Sequence, residues 1–454
     1  MLDIKLVREK PDFVRQRLGT RGAGDAARVD ELLRLDEQRR KWLSEVESLK
    51  AQRNRVSKEI GVLMGQVGKL KAAGDPPPTA PDAVRADLIL RIVEAKKSET
   101  RAIGERIAEL DKRAGEAETE RDQLILRVPN LPHESVAVGA SAEDNLVARV
   151  HGEKPAFDFT PKTHLELCET LKLVDFARAA KLSGSGFLLY TNWGAKLERA
   201  LIQFLLELHT REHGYTEVSP PFLVGPHCLE GVGQFPKFVD QYYAVREGLD
   251  DATLGRLYLI PTAETPVANI HREEILKESQ LPIRYCAYTP CFRGEAGAAG
   301  VGTRGMIRVH QFDKVELIKI VPPETGYAEL EQMVAHAERV LQLLGLHYRV
   351  MLLCTADLGF ASAKTYDLEV WAPGQGGYLE VSSCSNCEDF QARRMNLRFK
   401  TGVGENRFPH ILNGSGTALA RLFVALVETH QQADGSVRVP EPLQPYLKTN
   451  CISP

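Results

Sequence analysis

The sequence predicts an α+β protein, an antiparallel β-sheet flanked by helices and preceded by an antiparallel two-helix coiled-coil arm. Three observations predict it. A heptad run of mostly apolar residues extends from Leu32 to Leu70, and a weaker one from Ile89 to Val128. A proline cluster separates the two. Beyond residue 128, short β-rich stretches follow one another through loops with amphipathic helices spaced irregularly among them, which suits an antiparallel sheet.

In the first run Leu32, Leu35, Arg39, Trp42, Val46, Leu49, Arg53, Val56, Ile60, Leu63, Val67 and Leu70 alternate steps of three and four. That spacing puts one narrow stripe on one long helix. Ala73-Gly74-Asp75-Pro76-Pro77-Pro78 then stops any helix. The second run is Ile89, Val93, Lys96, Thr100, Ile103, Ile107, Leu110, Ala114, Ala117, Arg121, Leu124 and Val128. Two stripes joined by a short breaker are best buried against each other, as a hairpin roughly 60 Å long at 1.5 Å per residue. Val128-Pro129-Asn130-Leu131-Pro132 ends the second helix and sets the domain boundary, dividing the chain into 1–128 and 129–454.

In the second part the patterning predicts strands at Tyr285–Phe292, Arg308–Ile320, Tyr348–Leu353 and Tyr366–Trp371. Helices are expected at Lys196–His213, Tyr327–Leu344 and Ala418–Gln432.

Composition narrows the classes. The 454 residues carry 58 Lys and Arg against 61 Asp and Glu, a formal net charge of -3. The molecule as a whole is therefore not a basic nucleic-acid binder, and any phosphate contact must come from local clusters. One such cluster is Lys50, Arg53, Arg55, Lys58, Lys69 and Lys71 on the first helix. Taken alone it equally suits a phosphate backbone, a solvated coiled-coil surface or a dimerisation rod. The first ten residues are charged from the third onward and lack an apolar core, which argues against a secretory signal. The apolar stretch Leu201–Leu208 is broken by Gln203 and Glu207 and is too short to cross a bilayer. The eight cysteines then read as reduced thiols of a cytoplasmic protein. Cys384-Ser385-Asn386-Cys387 has the form of half a zinc site, but no further pair lies at a suitable spacing, so a structural role is expected and no zinc.

Three stretches carry candidate chemistry. Phe292-Arg293-Gly294-Glu295 opens a loop, Ala296–Met306, that holds Gly297, Gly300, Gly302, Arg304 and Gly305 between two strands. An arginine at the base of such a hairpin can meet a phosphate. Asn413-Gly414-Ser415-Gly416-Thr417 reads as a glycine-rich turn opening a helix, with Arg421 one turn in, able to reach an anion. Gly214-Tyr215-Thr216-Glu217-Val218-Ser219-Pro220-Pro221 suits a subunit interface or an edge strand.

In this order the three resemble motifs 2, 3 and 1 of class II aminoacyl-tRNA synthetases. Phe292–Glu316 is similar to motif 2 of the seryl enzymes over its full length. Thr262-Ala263-Glu264 resembles their serine-recognition triplet, and Glu380-Val381-Ser382-Ser383-Cys384-Ser385-Asn386 their metal and ATP strand. The hairpin resembles their tRNA-binding arm. The resemblance covers essentially the whole chain apart from the proline run. It implies a class II catalytic domain that activates L-serine with ATP and transfers the seryl group to serine tRNA, often to selenocysteine tRNA as well. It implies Arg293 and Arg421 as catalytic residues. ATP would lie against Arg293, Gly294, Glu295, Phe312, Glu380, Val381, Ser382, Ser383 and Arg421, with Phe312 stacked on adenine. Serine would lie among Thr262, Ala263, Glu264, Arg293, Glu316 and Ser415. Mg²⁺ would rest on Glu380 and Ser383, oxygen donors that suit a hard cation. A cytoplasmic homodimer is implied. Adenylating relatives that load a carrier protein lack the arm. A non-catalytic relative is expected to lose Arg293, Glu380 or Arg421, and all three are here.

Overall fold

The structure is a computed structural model describing residues 1–22, 24–72, 80–246, 256–295 and 305–454. The proline-rich tip and residues 296–304 of the glycine-rich loop lie outside the described residues. The chain forms two compact units, residues 27–125 and residues 1–26 with 126–454.

The smaller unit is a helical hairpin of α1 (Arg28–Ala72) and α2 (Pro81–Ile125), each 45 residues and so about 68 Å long. Ion pairs fix the antiparallel register. Arg39 meets Glu118 at 2.9 Å, Glu45 meets Arg106 at 3.1 Å and Glu59 meets Lys96 at 2.5 Å. The stripes meet as expected: Val46 packs with Ile103, Ile107 and Leu110, and Val67 with Ile89 and Val93. Three polar stripe members are paired, Arg39 and Lys96 in the ion pairs above and Arg121 lying 3.5 Å from Asp36. The helix stops at Ile125, three residues before Val128, because Pro129 disfavours helical backbone in the residue before it.

Residues 1–26, expected with the arm, pack into the larger unit. Arg17 donates to the carbonyls of Pro132 and His133, at 2.7 and 2.6 Å. Arg21, buried, donates to those of Leu358 and Gly359, at 2.9 and 2.6 Å. These guanidiniums supply donors to loop carbonyls that the sheet leaves unpaired.

The larger unit is built on eight strands: β1 (Leu146–His151), β2 (Thr216–Glu217), β3 (Ile283–Phe292), β4 (Gln311–Val321), β5 (Tyr348–Leu352), β6 (Lys364–Ala372), β7 (Gly377–Asn386) and β8 (His410–Ala418). Their spatial order is β1-β5-β6-β7-β8-β4-β3-β2. Every pairing is antiparallel except that of β2 with β3. The helices used below are α3 (His164–Thr170), α4 (Asn192–Arg211), α5 (Glu264–Ala268), α6 (Gly326–Leu343), α7 (Phe390–Met395) and α8 (Leu419–Thr429). Helices α4, α6 and α8 bury Leu201, Leu205, Met333, Leu341, Phe423 and Val427 in one large core that also holds Val315, Leu317 and Val321 of β4. Successive strand residues face opposite sides, so Phe312, Lys314, Glu316 and Ile318 look the other way.

One expectation is corrected. Asn413–Thr417 is part of β8, not a turn opening a helix, and α8 starts at Leu419. Its glycines make room for protein rather than for a ligand. A Cβ on Gly414 would lie 2.7 Å from Met333 Sδ and 2.9 Å from Cys384 Sγ, and one on Gly416 would lie 2.7 Å from His209 Nε2.

Candidate active site

The hairpin β3–β4 and the β8–α8 junction bring two arginines to one cleft of about 600 Å³. Its lining includes Arg293, Glu295, Phe312, Lys314, Glu380, Val381, Ser415 and Arg421. Arg293 follows β3 directly, and its backbone N–H donates to the His310 carbonyl at 2.9 Å. Its side chain donates to the Pro261 carbonyl at 3.4 Å and rides 5.1 Å from the centre of the Phe312 ring. Aromatic face and guanidinium together suit a planar base carrying an anionic tail. Arg421 donates from Nε to the Ile307 carbonyl at 3.1 Å and from Nη1 to the Glu380 carbonyl at 3.0 Å. Its Nη1 also lies 3.4 Å from Glu380 Oε2.

Beside the cleft lies a polar pocket on the site-facing side of β4. Lys314 and Glu316 are 5% and 2% exposed and form an ion pair. Lys314 also donates to Thr262 Oγ1 at 2.7 Å, and that hydroxyl accepts the backbone N–H of Glu264 at 3.2 Å. Two amides converge on Glu264 Oε1: Gln391 Nε2 of α7 at 2.7 Å and Asn413 Nδ2 of β8 at 3.1 Å. Burial first, and the charge of Glu316 second, push Glu264 up to about 7 against the pull of Gln391, Lys314 and Arg293. Glu264 and Asn413 also line a cavity of about 740 Å³ with Tyr242, Phe360, Ser362 and Cys387.

Glu380 and Ser383 are three apart, so regular alternation would send them to opposite faces. The register shifts between Leu368 and Glu369, where Ser382 faces Leu368 but Glu380 faces Glu369. Val381 is thus a bulge, and it returns Glu380 to the face of Ser383. Ser383 hydrogen-bonds Asp367, whose carboxyl is pushed up by burial and by the charge of Glu380. Asp367 Oδ1 is buried without a hydrogen-bond partner. An oxygen-only set with an unsatisfied carboxylate oxygen fits a hard cation such as Mg²⁺.

Most residues expected from the sequence meet here. Ala263 and Ser382 have their side chains elsewhere. Ala263 is packed with Val267, Ala287 and Ile318, and Ser382 donates to the Ser415 carbonyl at 2.5 Å, tying β7 to β8. Gly294 donates its N–H to the Gln241 carbonyl at 3.1 Å. Sequence reasoning missed Lys314, Asp367 and Gln391. Only Lys314 left a signal, a charge at period two between Phe312 and Glu316 in a strand otherwise rich in apolar residues. Cys384 and Cys387 are buried free thiols, and Cys387 Sγ accepts from Asn413 Nδ2 at 3.5 Å. Among the described residues no three His, Cys, Asp or Glu side chains converge as metal ligands, and no helix is long and apolar enough to cross a membrane.

An antiparallel sheet that sets an arginine after a hairpin strand against another on the following helix defines a class II aminoacyl-tRNA synthetase core. The family description "tRNA synthetase class II core domain (G, H, P, S and T)" matches residues 243–430, and "Seryl-tRNA synthetase N-terminal domain" matches residues 1–75. The serine–tRNA ligases of Akkermansia muciniphila and Carboxydothermus hydrogenoformans are 52% and 51% identical, each over 100% of this chain and 99% of their own. The structure of seryl-tRNA synthetase from Pyrococcus horikoshii complexed with ATP superposes with a TM-score of 0.89 at 38% identity, covering 100% of both chains. The cytoplasmic serine-tRNA ligase of Naegleria fowleri in complex with AMP gives 0.87 at 31%, covering 100% of this chain and 99% of that one. The chain belongs to the seryl-tRNA synthetase family.

Proposed function

We propose that the protein activates L-serine with ATP and esterifies serine tRNA, as a cytoplasmic homodimer. The serine carboxylate attacks the α-phosphorus of ATP, giving seryl-adenylate and pyrophosphate. The terminal ribose hydroxyl of the tRNA then attacks the adenylate carbonyl, taking the seryl group and releasing AMP. The protein's part is positioning and charge neutralisation rather than covalent chemistry. The observation that carries this reading is the pair Arg293 and Arg421 lining one cleft with Phe312 and Glu380, beside the Glu264–Glu316 pocket.

In this reading Arg293 holds the α-phosphate and the serine carboxylate, Glu295 orients ATP, and Arg421 holds the γ-phosphate. Mg²⁺, when bound by Glu380 and Ser383, neutralises phosphate charge. Glu264, Glu316, Thr262 and Ser415 receive the ammonium and hydroxyl of serine. Alanine would leave the hydroxyl's partners unpaired, at about 1–3 kcal/mol each. Support for the dimer comes from the sheet's last strand, β2, exposed on its outer edge and followed by the exposed Phe222 and Leu223. A monomer in sedimentation equilibrium at micromolar concentration would contradict that part. The arm supplies the tRNA contact, and selenocysteine tRNA, which shares the seryl step, is a second substrate to assay.

ATP–pyrophosphate exchange with each standard amino acid tests the activity. Serine is expected to drive exchange well above every other amino acid, followed by charging of serine tRNA. Exchange driven best by another amino acid, or by none, refutes the assignment.

A further inference from the structure

We propose that His164 is a positioning residue of the nucleotide site, held by Glu428 and acting on the returning end of the Arg293 hairpin. The proposal rests on the reading of the cleft as the ATP site. His164 and Glu428 are 1% and 0% exposed. The Glu428 carboxylate, near the end of α8, accepts the backbone N–H groups of His164 at 2.8 Å, Gly374 at 2.9 Å and Gln375 at 3.2 Å. It also accepts the Gln375 side-chain amide at 3.2 Å. The imidazole Nδ1 lies 3.1 Å from the same carboxylate. Gln375 Nε2 also lies 3.2 Å from Nδ1 but donates to the Glu428 carboxylate, and the backbone N–H of Met306, which can only donate, faces Nε2. The two contacts together place the proton on Nδ1 and the lone pair on Nε2.

That lone pair faces the backbone N–H of Met306 at 3.4 Å. Gly305, just before it, has φ +73°, and a Cβ there would come within 2.4 Å of Nε2. The chain therefore seats directly against the ring, at a position where only glycine fits. Met306 is fully buried and lines the nucleotide cleft. The carbonyl of the next residue, Ile307, accepts from Arg421 Nε at 3.1 Å.

Arg421 and Glu428 are seven apart on α8, two turns, and so share one helix face. One face of one helix thus holds two successive residues of the cleft wall, Ile307 directly through its carbonyl by Arg421 and Met306 through its N–H by way of His164. An arginine drawn onto a phosphate loosens its grip on Ile307. The His164 contact then keeps the wall in place beside Phe312, independent of what Arg421 is doing.

The test is ATP–pyrophosphate exchange with His164→Leu, which removes the acceptor, and His164→Gln, whose amide oxygen can take its place near Nε2. His164→Leu is expected to raise KM for ATP about tenfold, the effect of one lost hydrogen bond, with KM for serine unchanged within twofold. His164→Gln should recover most of that loss. Equal changes in both KM values, no change in KM for ATP, or no difference between the two variants overturns the proposal. Should His164→Leu fail to fold, His164→Gln is compared with the parent by hydrogen exchange over residues 305–310. That comparison is expected to show near-parental exchange, whereas His164→Asn, whose shorter amide keeps a donor toward Glu428 but ends short of Met306, should show faster exchange confined to that peptide. Equal exchange in the Asn and Gln variants refutes the role. Arg421→Ala separates the two readings. If it leaves KM for ATP unchanged, the nucleotide site itself is misread. If it raises KM while His164→Leu does not, this proposal alone fails.

Discussion

Glu264 can grip an ammonium only when ionised, and its surroundings hold the carboxyl at about 7. Below that value a growing fraction is protonated and useless for the purpose. KM for serine should therefore rise about tenfold for each pH unit below 7, while KM for ATP lacks that step. Pyrophosphate exchange between pH 5.5 and 8.5 checks it, and a flat serine profile would contradict the role. Gln391 donates to this carboxylate and is among the influences lowering its pKa. Gln391→Leu should move the step to higher pH, whereas an unmoved step would limit Gln391 to packing. Nothing in the sequence announced Gln391, which lies 127 positions from Glu264 and reaches it only through the tertiary fold. The arginines and the Thr262–Glu264 triplet were legible because their neighbours in sequence form recognisable motifs. The Asp367 carboxylate was hidden for the same reason as Gln391, since only the β6–β7 pairing sets it against Ser383.

Elements were legible in proportion to their period. The arm showed itself through its heptads, and β4 through alternation, but β8 did not. Gly414 and Gly416 mimic turn chemistry in sequence, yet their reason is tertiary, the pressure of Met333, Cys384 and His209 on the strand. Gly414→Ala should accordingly destabilise by about 1–3 kcal/mol through overpacking. Gly377→Ala, where an added Cβ meets nothing within 4 Å, should be near neutral, and equal melting temperatures for the two would refute the packing account. Helices α4 and α6 make a second prediction. The rings of His213 and His336 stack at 4.1 Å, and His209 Nδ1 lies 3.0 Å from His213 Nδ1. Burial, aided by His213, lowers His209 and His336 to about 3. The unfolded chain takes up protons below about 6.5 that these folded histidines refuse until about 3. Stability must then fall as pH drops through that window. Replacing His336 with Gln should flatten the acid limb of a melting-temperature profile, and an unchanged limb would show that other groups set it.

At the scale of the whole molecule, each compact unit has a core of its own. The arm's apolar residues pair within the hairpin, and the large core is built of sheet and helices outside it. Replacing residues 28–124 with a short Gly/Ser linker should therefore leave serine-dependent pyrophosphate exchange within about threefold of the parent while tRNA charging falls by two orders of magnitude or more, the scale of several lost phosphate contacts. Loss of both activities in a variant that keeps its melting transition would refute this division of labour. A gentler variant locates the contact. On α1, Glu59 is taken by Lys96 and Lys50 by Glu47. Among the described residues no carboxylate pairs with Arg53, Arg55 or Lys58. These three carry the uncompensated charge that can displace counterions from a phosphate backbone. Changing all three to alanine should raise KM for tRNA about tenfold or more and lower the slope of log KM against log salt by roughly two to three, with exchange untouched. A salt slope equal to the parent's would move the tRNA contact to another face of the hairpin.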